Sequence, residues 1–256
     1  AAIDAAPGLR YAVTMTQATP ASDILYAGDT TLTTAAAYLG AVMTRAGLGF
    51  DYLASDEPIA PRLAGRDYGL YILSDYPVNN IRPADAGAIV AAVRAGAGLL
   101  MIGGWESFHG LAGGYDRSAL AEVLPVTMLD ADDRVNCATP CVIEPAAAHP
   151  IIDGLPWGTP PTIGGYNRVA ARDGAETVLN ARHLDVTVRA GRYRFAVAEG
   201  APLLVVGACG RGRTAALATD VAPHWVGGFV DWGAPRVAAQ APGGGEVEVG
   251  CHYAEF

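Results

Sequence analysis

Residues 99–110, reading LLMIGGWESFHG, constrain this chain more than any other stretch. Four apolar residues form a candidate buried strand, and two glycines follow at once. A chain leaving a buried strand through paired glycines turns a corner where a Cβ would clash, and it lifts the next side chains above the sheet edge. The corner presents Trp105, Glu106 and Ser107, and a helix is expected to follow it.

The flanking pattern sets the fold class. Residues 9–16 read as a first strand, 17–29 as a loop and 30–46 as a helix, where Leu32, Ala35, Ala36, Leu39, Val42 and Met43 recur at helical spacing. Strands are expected at 49–53, 67–74 and 98–102. A helix opened by Pro83 precedes the last of these and stops at Gly96. This β-α-β-α-β rhythm predicts an α/β fold with a doubly wound, mostly parallel sheet. Residues 130–161 read as irregular with short strands. Further strands are expected at 175–180, 193–197 and 203–206, the last closing a hairpin with 213–219. Residues 241–245 read as a loop, and 248–256 as the start of a helix. The whole chain, 1–256, is read as one domain.

Composition excludes several functions. All 17 basic residues are arginine, so Schiff-base chemistry on a lysine is ruled out. The net charge is −9 with the arginines scattered, which gives no basic face for nucleic acid. No run of about 18 apolar residues suggests a membrane span, and no basic segment followed by an apolar run marks a secretion signal. Cytoplasmic placement is expected. Cys137, Cys141, Cys209 and Cys251 fit no zinc-finger spacing and read as reduced structural thiols.

Several blocks carry a resemblance. They are Ile72–Leu73–Ser74–Asp75, the 99–110 corner, His149–Pro150–Ile151 with Gly154–Leu155–Pro156–Trp157, and Gly165–Tyr166–Asn167. Pro202–Leu203–Leu204–Val205–Val206, Gly210–Arg211–Gly212–Arg213 and the run from Thr219 through Asp220 and His224 to Trp225 complete the set. In this order they resemble the glutamine amidotransferase-like family, related to the ThuA-like trehalose-utilisation proteins. The resemblance implies a flavodoxin-like class I amidotransferase core. A working glutaminase of that superfamily carries Cys at the elbow and a His-x-Glu pair after a late strand. Here the elbow has Trp105 or Glu106, and the late strand is followed by Asp220 and His224. Hydrolysis of glutamine through a Cys thioester is therefore not expected.

In open α/β sheets, ligands bind beyond the carboxyl ends of the strands. Gln17, Ser74, Asp75, Trp105, Glu106, Asp220 and His224 each follow an apolar strand. Glu106, His224 and Asp220 are the candidate catalytic residues, because a histidine beside a carboxylate serves as an acid–base group. Ser74, Asp75, Gly104, Trp105, Ser107, His109, Tyr115 and Asn167 are candidate substrate contacts, with Trp105 as an aromatic wall. Competing readings are a cap for Glu106, a turn role for Ser107 and a structural role for His224. Gly103 and Gly104 could offer backbone amides to an anion. No cofactor is expected, although Glu106, His109, Asp220 and His224 would suit one divalent metal. The expected partner is a small molecule, with self-association left open. Two functions follow: a small-molecule enzyme of hydrolase type or sugar-derivative chemistry, or a non-catalytic ligand-binding or interaction subunit on the same scaffold.

Overall fold

The computed structural model describes residues 23–111, 113–225 and 227–256. The strand expected at 9–16, and Gln17 with it, lie outside them. The first described strand is β1 (Ile24–Gly28), inside the stretch read as a loop. Its five residues, ILYAG, are almost wholly buried, and the nearby Pro20, Ser22 and Gly28 obscured so short a run.

Helix α1 (Ala36–Arg45) is shorter than the periodicity predicts. The Thr34 hydroxyl donates to the Thr31 carbonyl at 3.1 Å, and the Thr31 amide donates back to Thr34 Oγ1. Such local bonds compete with helical ones. Strand β2 (Asp51–Leu53), the short α2 (Ala60–Leu63), β3 (Leu70–Ser74), α3 (Pro83–Ala95) and β4 (Gly98–Ile102) follow. The last two match expectation residue for residue. Pro83 opens α3 where a missing N–H costs nothing, and Gly96, at φ 130°, ends it.

The second half is more regular than its sequence suggests. It contains β5 (Val126–Met128), β6 (Arg134–Pro145), β7 (Thr162–Asn167), β8 (Val169–Ala171), β9 (Glu176–Arg189) and β10 (Arg192–Val197). Then come β11 (Ala201–Cys209), β12 (Gly212–Leu217), β13 (Arg236–Gln240), β14 (Glu246–Gly250) and α4 (Cys251–Glu255). The expectation of irregular structure across 130–161 is corrected by β6, a 12-residue strand whose pairing with β7 shifts register between Asn136 and Cys141. That irregularity hides the alternation a sequence reading depends on.

The main sheet runs β2-β1-β3-β4-β12-β11-β9-β6-β7, with β10 added on β9. Strands β2, β1, β3, β4 and β12 are mutually parallel, and the remainder pair antiparallel. The expected hairpin is β11 with β12. From β1 the chain crosses one way to β2, and from β3 the other way to β4. Right-handed crossovers therefore put α1 and α3 on opposite faces, as in flavodoxin-like folds. The order reverses between β1 and β3, whose carboxyl ends are Gly28 and Ser74. A crevice opens beside that point, beyond the carboxyl ends of β3, β4 and β12. Both faces of β4 are covered, with Leu99, Met101 and Ile102 at most 1% exposed.

Met101 is fully buried on β4, inside the parallel half, so Met101→Ala should leave a cavity and cost about 2–5 kcal/mol in denaturant unfolding. A loss within ~0.5 kcal/mol would contradict so tightly packed a site.

Candidate functional site

The crevice is built by close approach. At the end of β4, the Gly103 amide donates to the carbonyls of Leu217 (2.7 Å) and Thr219 (3.1 Å). A Cβ on Gly103 would come within 2.6 Å of the Ala218 carbonyl, and one on Gly104 within 2.4 Å of Asp75 Oδ1. Only glycine fits at either position. The expected helix after the corner is absent: residues 105–111 form turns, and short 3₁₀ segments begin at Tyr115. Glu106 therefore caps no helix. The anion-site reading of Gly103–Gly104 is corrected too, since the Gly104 amide is taken by Asn167 Oδ1 at 2.9 Å.

Asp75 follows β3 in the left-handed region, at φ 44°. Its amide donates to Ser107 Oγ at 3.0 Å, and its Oδ1 accepts the Glu106 amide at 2.6 Å. Burial pushes its carboxyl up to about 6, against the Glu106 amide bond; the charges of Asp220 and Glu106 push the same way as burial, and His224 opposes them. Burial also raises the Glu106 carboxyl. After β12, buried Asp220 accepts the Ala222 amide at 2.8 Å through Oδ1, and its Oδ2 lies 3.0 Å from His224 Nδ1. The hydrogen bond to Asp220 raises the His224 imidazole above its usual 6.5, against partial desolvation. The His224 side chain is 60% exposed, so Asp220 orients it while its other ring edge stays accessible.

Asp75, Trp105, Glu106, Leu111, Asn136, Asp220, His224 and Trp225 line one cavity of about 500 Å³. Trp105 is half-exposed and forms a wall without filling the space; the Arg134 guanidinium stacks 4.5 Å from its ring. Trp225 is fixed by its Nε1–H to Asn136 Oδ1 at 3.0 Å.

Other candidates hold the frame. Ser107 is buried, and its hydroxyl donates to the Ile102 carbonyl and accepts from Asp75. Asn167 is fully buried; its amide group donates to Gly104 O and to Asp133 Oδ1, and Asp133 in turn accepts the amides of His109 and Gly110. Tyr115 is buried with its hydroxyl on the Tyr76 carbonyl. His109 pairs through Nδ1 with Asp116 at 2.8 Å and is not in the cavity wall, so the four-residue metal set does not assemble. Among the described residues, ligand atoms of three His, Cys, Asp or Glu side chains gather only at Cys137, Cys141 and His183.

Asp29 escaped the sequence reading because β1 did. It follows β1 as Asp75 follows β3, at φ 51°, and is buried with the Tyr26 hydroxyl bonded to its Oδ2. Burial, then the Asp220 charge, push its carboxyl far above the usual range, while the hydroxyls of Tyr26 and the fully buried Ser74 oppose them. Asn136, Leu111 and Trp225 also went unassigned; Trp225, next to His224, was the one a search of strand ends could have found.

A carboxyl whose folded pKa is raised binds its proton more tightly in the native state. Its stability contribution is full below the unfolded value near 3.8 and is lost as pH rises toward the folded value. Asp29→Asn cannot ionise, so it should unfold at a higher temperature than the parent at pH 8. The gap should close as pH falls to about 4 in parallel thermal melts. A gap independent of pH would refute the buried-acid account.

Residues 70–237 match the family model described as "Putative glutamine amidotransferase". No curated protein matches the chain. Among solved structures, Cytoplasmic Protein STM3548 from Salmonella typhimurium is 29% identical, with 80% of this chain and 91% of that one covered and a TM-score of 0.63. Cytoplasmic Protein STM1381 from Salmonella typhimurium LT2 is 28% identical, with 79% and 89% covered and a TM-score of 0.63. A ThuA-like protein from Parabacteroides merdae ATCC 43184, at 12% identity, 76% and 77% coverage and TM-score 0.50, shares the fold. With the match spanning most of the chain, from β3 into β13, this protein belongs to that glutamine amidotransferase-like family.

Proposed function

We propose that the protein is a hydrolytic enzyme for a small, polar, uncharged substrate such as a sugar derivative, ester or amide, with water as the nucleophile. One observation carries this reading: Asp75, Glu106 and the Asp220–His224 pair line a single open cavity between two tryptophans. Acid and base groups facing one space, with aromatic walls, are what a small-molecule catalyst needs.

The charge environment assigns the roles. Asp75 loses its proton near pH 6, whereas the imidazole of His224 keeps its proton past its usual 6.5. In the interval between, Asp75 is a carboxylate and His224 an imidazolium. Asp75 then takes a proton from water as the water attacks, and His224 gives its proton to the leaving group. The opposite assignment needs Asp75 protonated and His224 neutral together, a combination these shifts make scarce. Asp220 is a positioning residue. Glu106, on the same rim, accepts hydroxyl or amide donors of the substrate. Trp105 and Trp225 supply apolar area against a ring.

Thioester chemistry on glutamine has no support, since none of the four cysteines lines the cavity. Glutamate release that disappeared on replacing one cysteine would contradict this. A non-catalytic ligand-binding role is the second reading, favoured by the engaged, buried hydroxyl of Ser107, the one hydroxyl nucleophile the corner offers. Both Salmonella relatives are named as cytoplasmic proteins, which supports a cytoplasmic setting.

The test is hydrolysis of a panel of aryl esters, acetylated sugars and aryl glycosides, with kcat/KM followed against pH. The profile should rise through about pH 6 as Asp75 ionises and fall above 6.5 as His224 deprotonates. Asp75→Asn should abolish the acid limb and His224→Gln the alkaline limb, each lowering kcat by roughly 10²–10⁴ with the fold retained. Saturable binding of a panel member with no turnover would favour the second reading.

A further inference from the structure

We propose that Cys137, Cys141 and His183 bind a thiophilic divalent cation, zinc by preference, at a site separate from the carboxylate cavity. The ligand atoms of the three side chains lie within 4.8 Å of one another. Around a tetrahedral zinc, with bonds of about 2.3 Å to sulfur and 2.0 Å to nitrogen, ligand atoms stand roughly 3.5 Å apart. Closure around an ion thus needs side-chain movement on the order of 1 Å.

The backbone goes out of its way to produce this convergence. Residues four apart on a regular strand are about 13 Å distant. Yet the sulfurs of Cys137 and Cys141, both in β6, lie within 4.8 Å of one another. The register irregularity between Asn136 and Cys141 brings them together. His183 arrives from the neighbouring strand, since Cys141 and His183 are cross-strand partners in the β6–β9 ladder.

The surroundings suit a metal ligand. The Tyr166 hydroxyl is 3.0 Å from His183 Nε2, an outer contact of the kind that fixes the ring of a ligating histidine. With Nε2 so engaged, Nδ1 is the nitrogen a metal could take without breaking that bond. Cys141 is buried and Cys137 half-buried, so an ion would be held from within and reached from the Cys137 side. Two sulfurs and an imidazole select zinc or a similar soft ion over magnesium or calcium. Three protein ligands leave a fourth position for water. The spacing of the two cysteines and the distant histidine matches no finger template, so only the folded strands reveal the group.

The experiment uses the whole chain, chelator-stripped and reduced under inert gas, titrated with Co²⁺ as a spectroscopic substitute for zinc. One equivalent should bind with a thiolate-to-cobalt charge-transfer band, and Zn²⁺ should displace it. Cys137→Ser and His183→Gln should each lose the band, whereas Cys209→Ser and Cys251→Ser should retain it. Tyr166→Phe should weaken binding about 10-fold or more. Cys141→Ser alters a buried position, so the half-buried Cys137 and His183 variants carry the comparison. Protection of the parent's Cys137 from alkylation by one equivalent of Zn²⁺ provides a second readout. No band with reduced thiols would overturn the site, as would a band surviving Cys137→Ser. Air oxidation to a Cys137–Cys141 disulfide in a chain that never retains metal would overturn it equally.

Discussion

The crevice depends on how closely the ends of three parallel strands can approach. Where β4 runs out, Gly103 lies against the backbone of Ala218 and Gly104 against the carboxylate of Asp75, at separations that no Cβ allows. That contact takes Asp75 out of water and lets the Glu106 amide reach its Oδ1. It also seats the Gly104 peptide between both ends of the Asn167 amide. Behind it, Asp133 gathers Asn167 and the amides of His109 and Gly110 into one buried network. The corner is thus braced from both sides, and the carboxylates in front of it inherit their positions from that bracing. Positive φ angles at Asp29 and Asp75, one after each strand flanking the reversal in sheet order, belong to the same constraint.

Electrostatics at the crevice are lopsided. Asp29, Asp75 and Asp220 are all buried or nearly so, Glu106 joins them at the rim, and His224 is the basic side chain lining the cavity. The nearby Arg134 is already committed to Asp132 and to the face of Trp105. Such a space repels anionic ligands. It suits neutral ligands rich in hydrogen-bond donors, because ionised carboxylates are acceptors only. Desolvation first, then the charges of Asp220 and Glu106, raise Asp75 into the range where a carboxyl can exchange protons near neutrality.

The parallel half of the fold was legible because its signals are local. Pro83 and Gly96 bracket α3, and the apolar runs of β3 and β4 leave little choice of periodicity. The convergence of Asp75, Glu106, Asp220 and His224 was legible for a topological reason, since each follows a strand that ends on one edge. What failed had physical causes. Strand β1 is five residues beside turn-forming ones, and losing it hid Asp29. Ser107, Tyr115 and Asn167 carry polar groups of the right kind, but composition cannot tell whether a hydroxyl or amide faces ligand or backbone; here each is spent on backbone partners or Asp133. The irregular β6, which joins Asn136 to the cavity and Cys137 to Cys141, depends on pairing across the sheet that no local pattern encodes.

The corner also bears on which kind of hydrolysis the proposal allows. An acyl-enzyme route needs a nucleophile on the elbow and free backbone amides to hold the oxyanion. The hydroxyl of Ser107 is buried and engaged, and no helix begins here to offer its N-terminus. The Gly103 amide is held by Leu217 and Thr219, that of Gly104 by Asn167 and that of Glu106 by Asp75. With those donors committed, the proposed hydrolysis would meet charge on a substrate oxygen through His224, the basic side chain lining the cavity, oriented by buried Asp220. On the proposed reading, the scaffold on which relatives of this superfamily would place a thiol serves acid–base work on water, and the glycine contact that shapes the corner provides the base by taking Asp75 out of solvent.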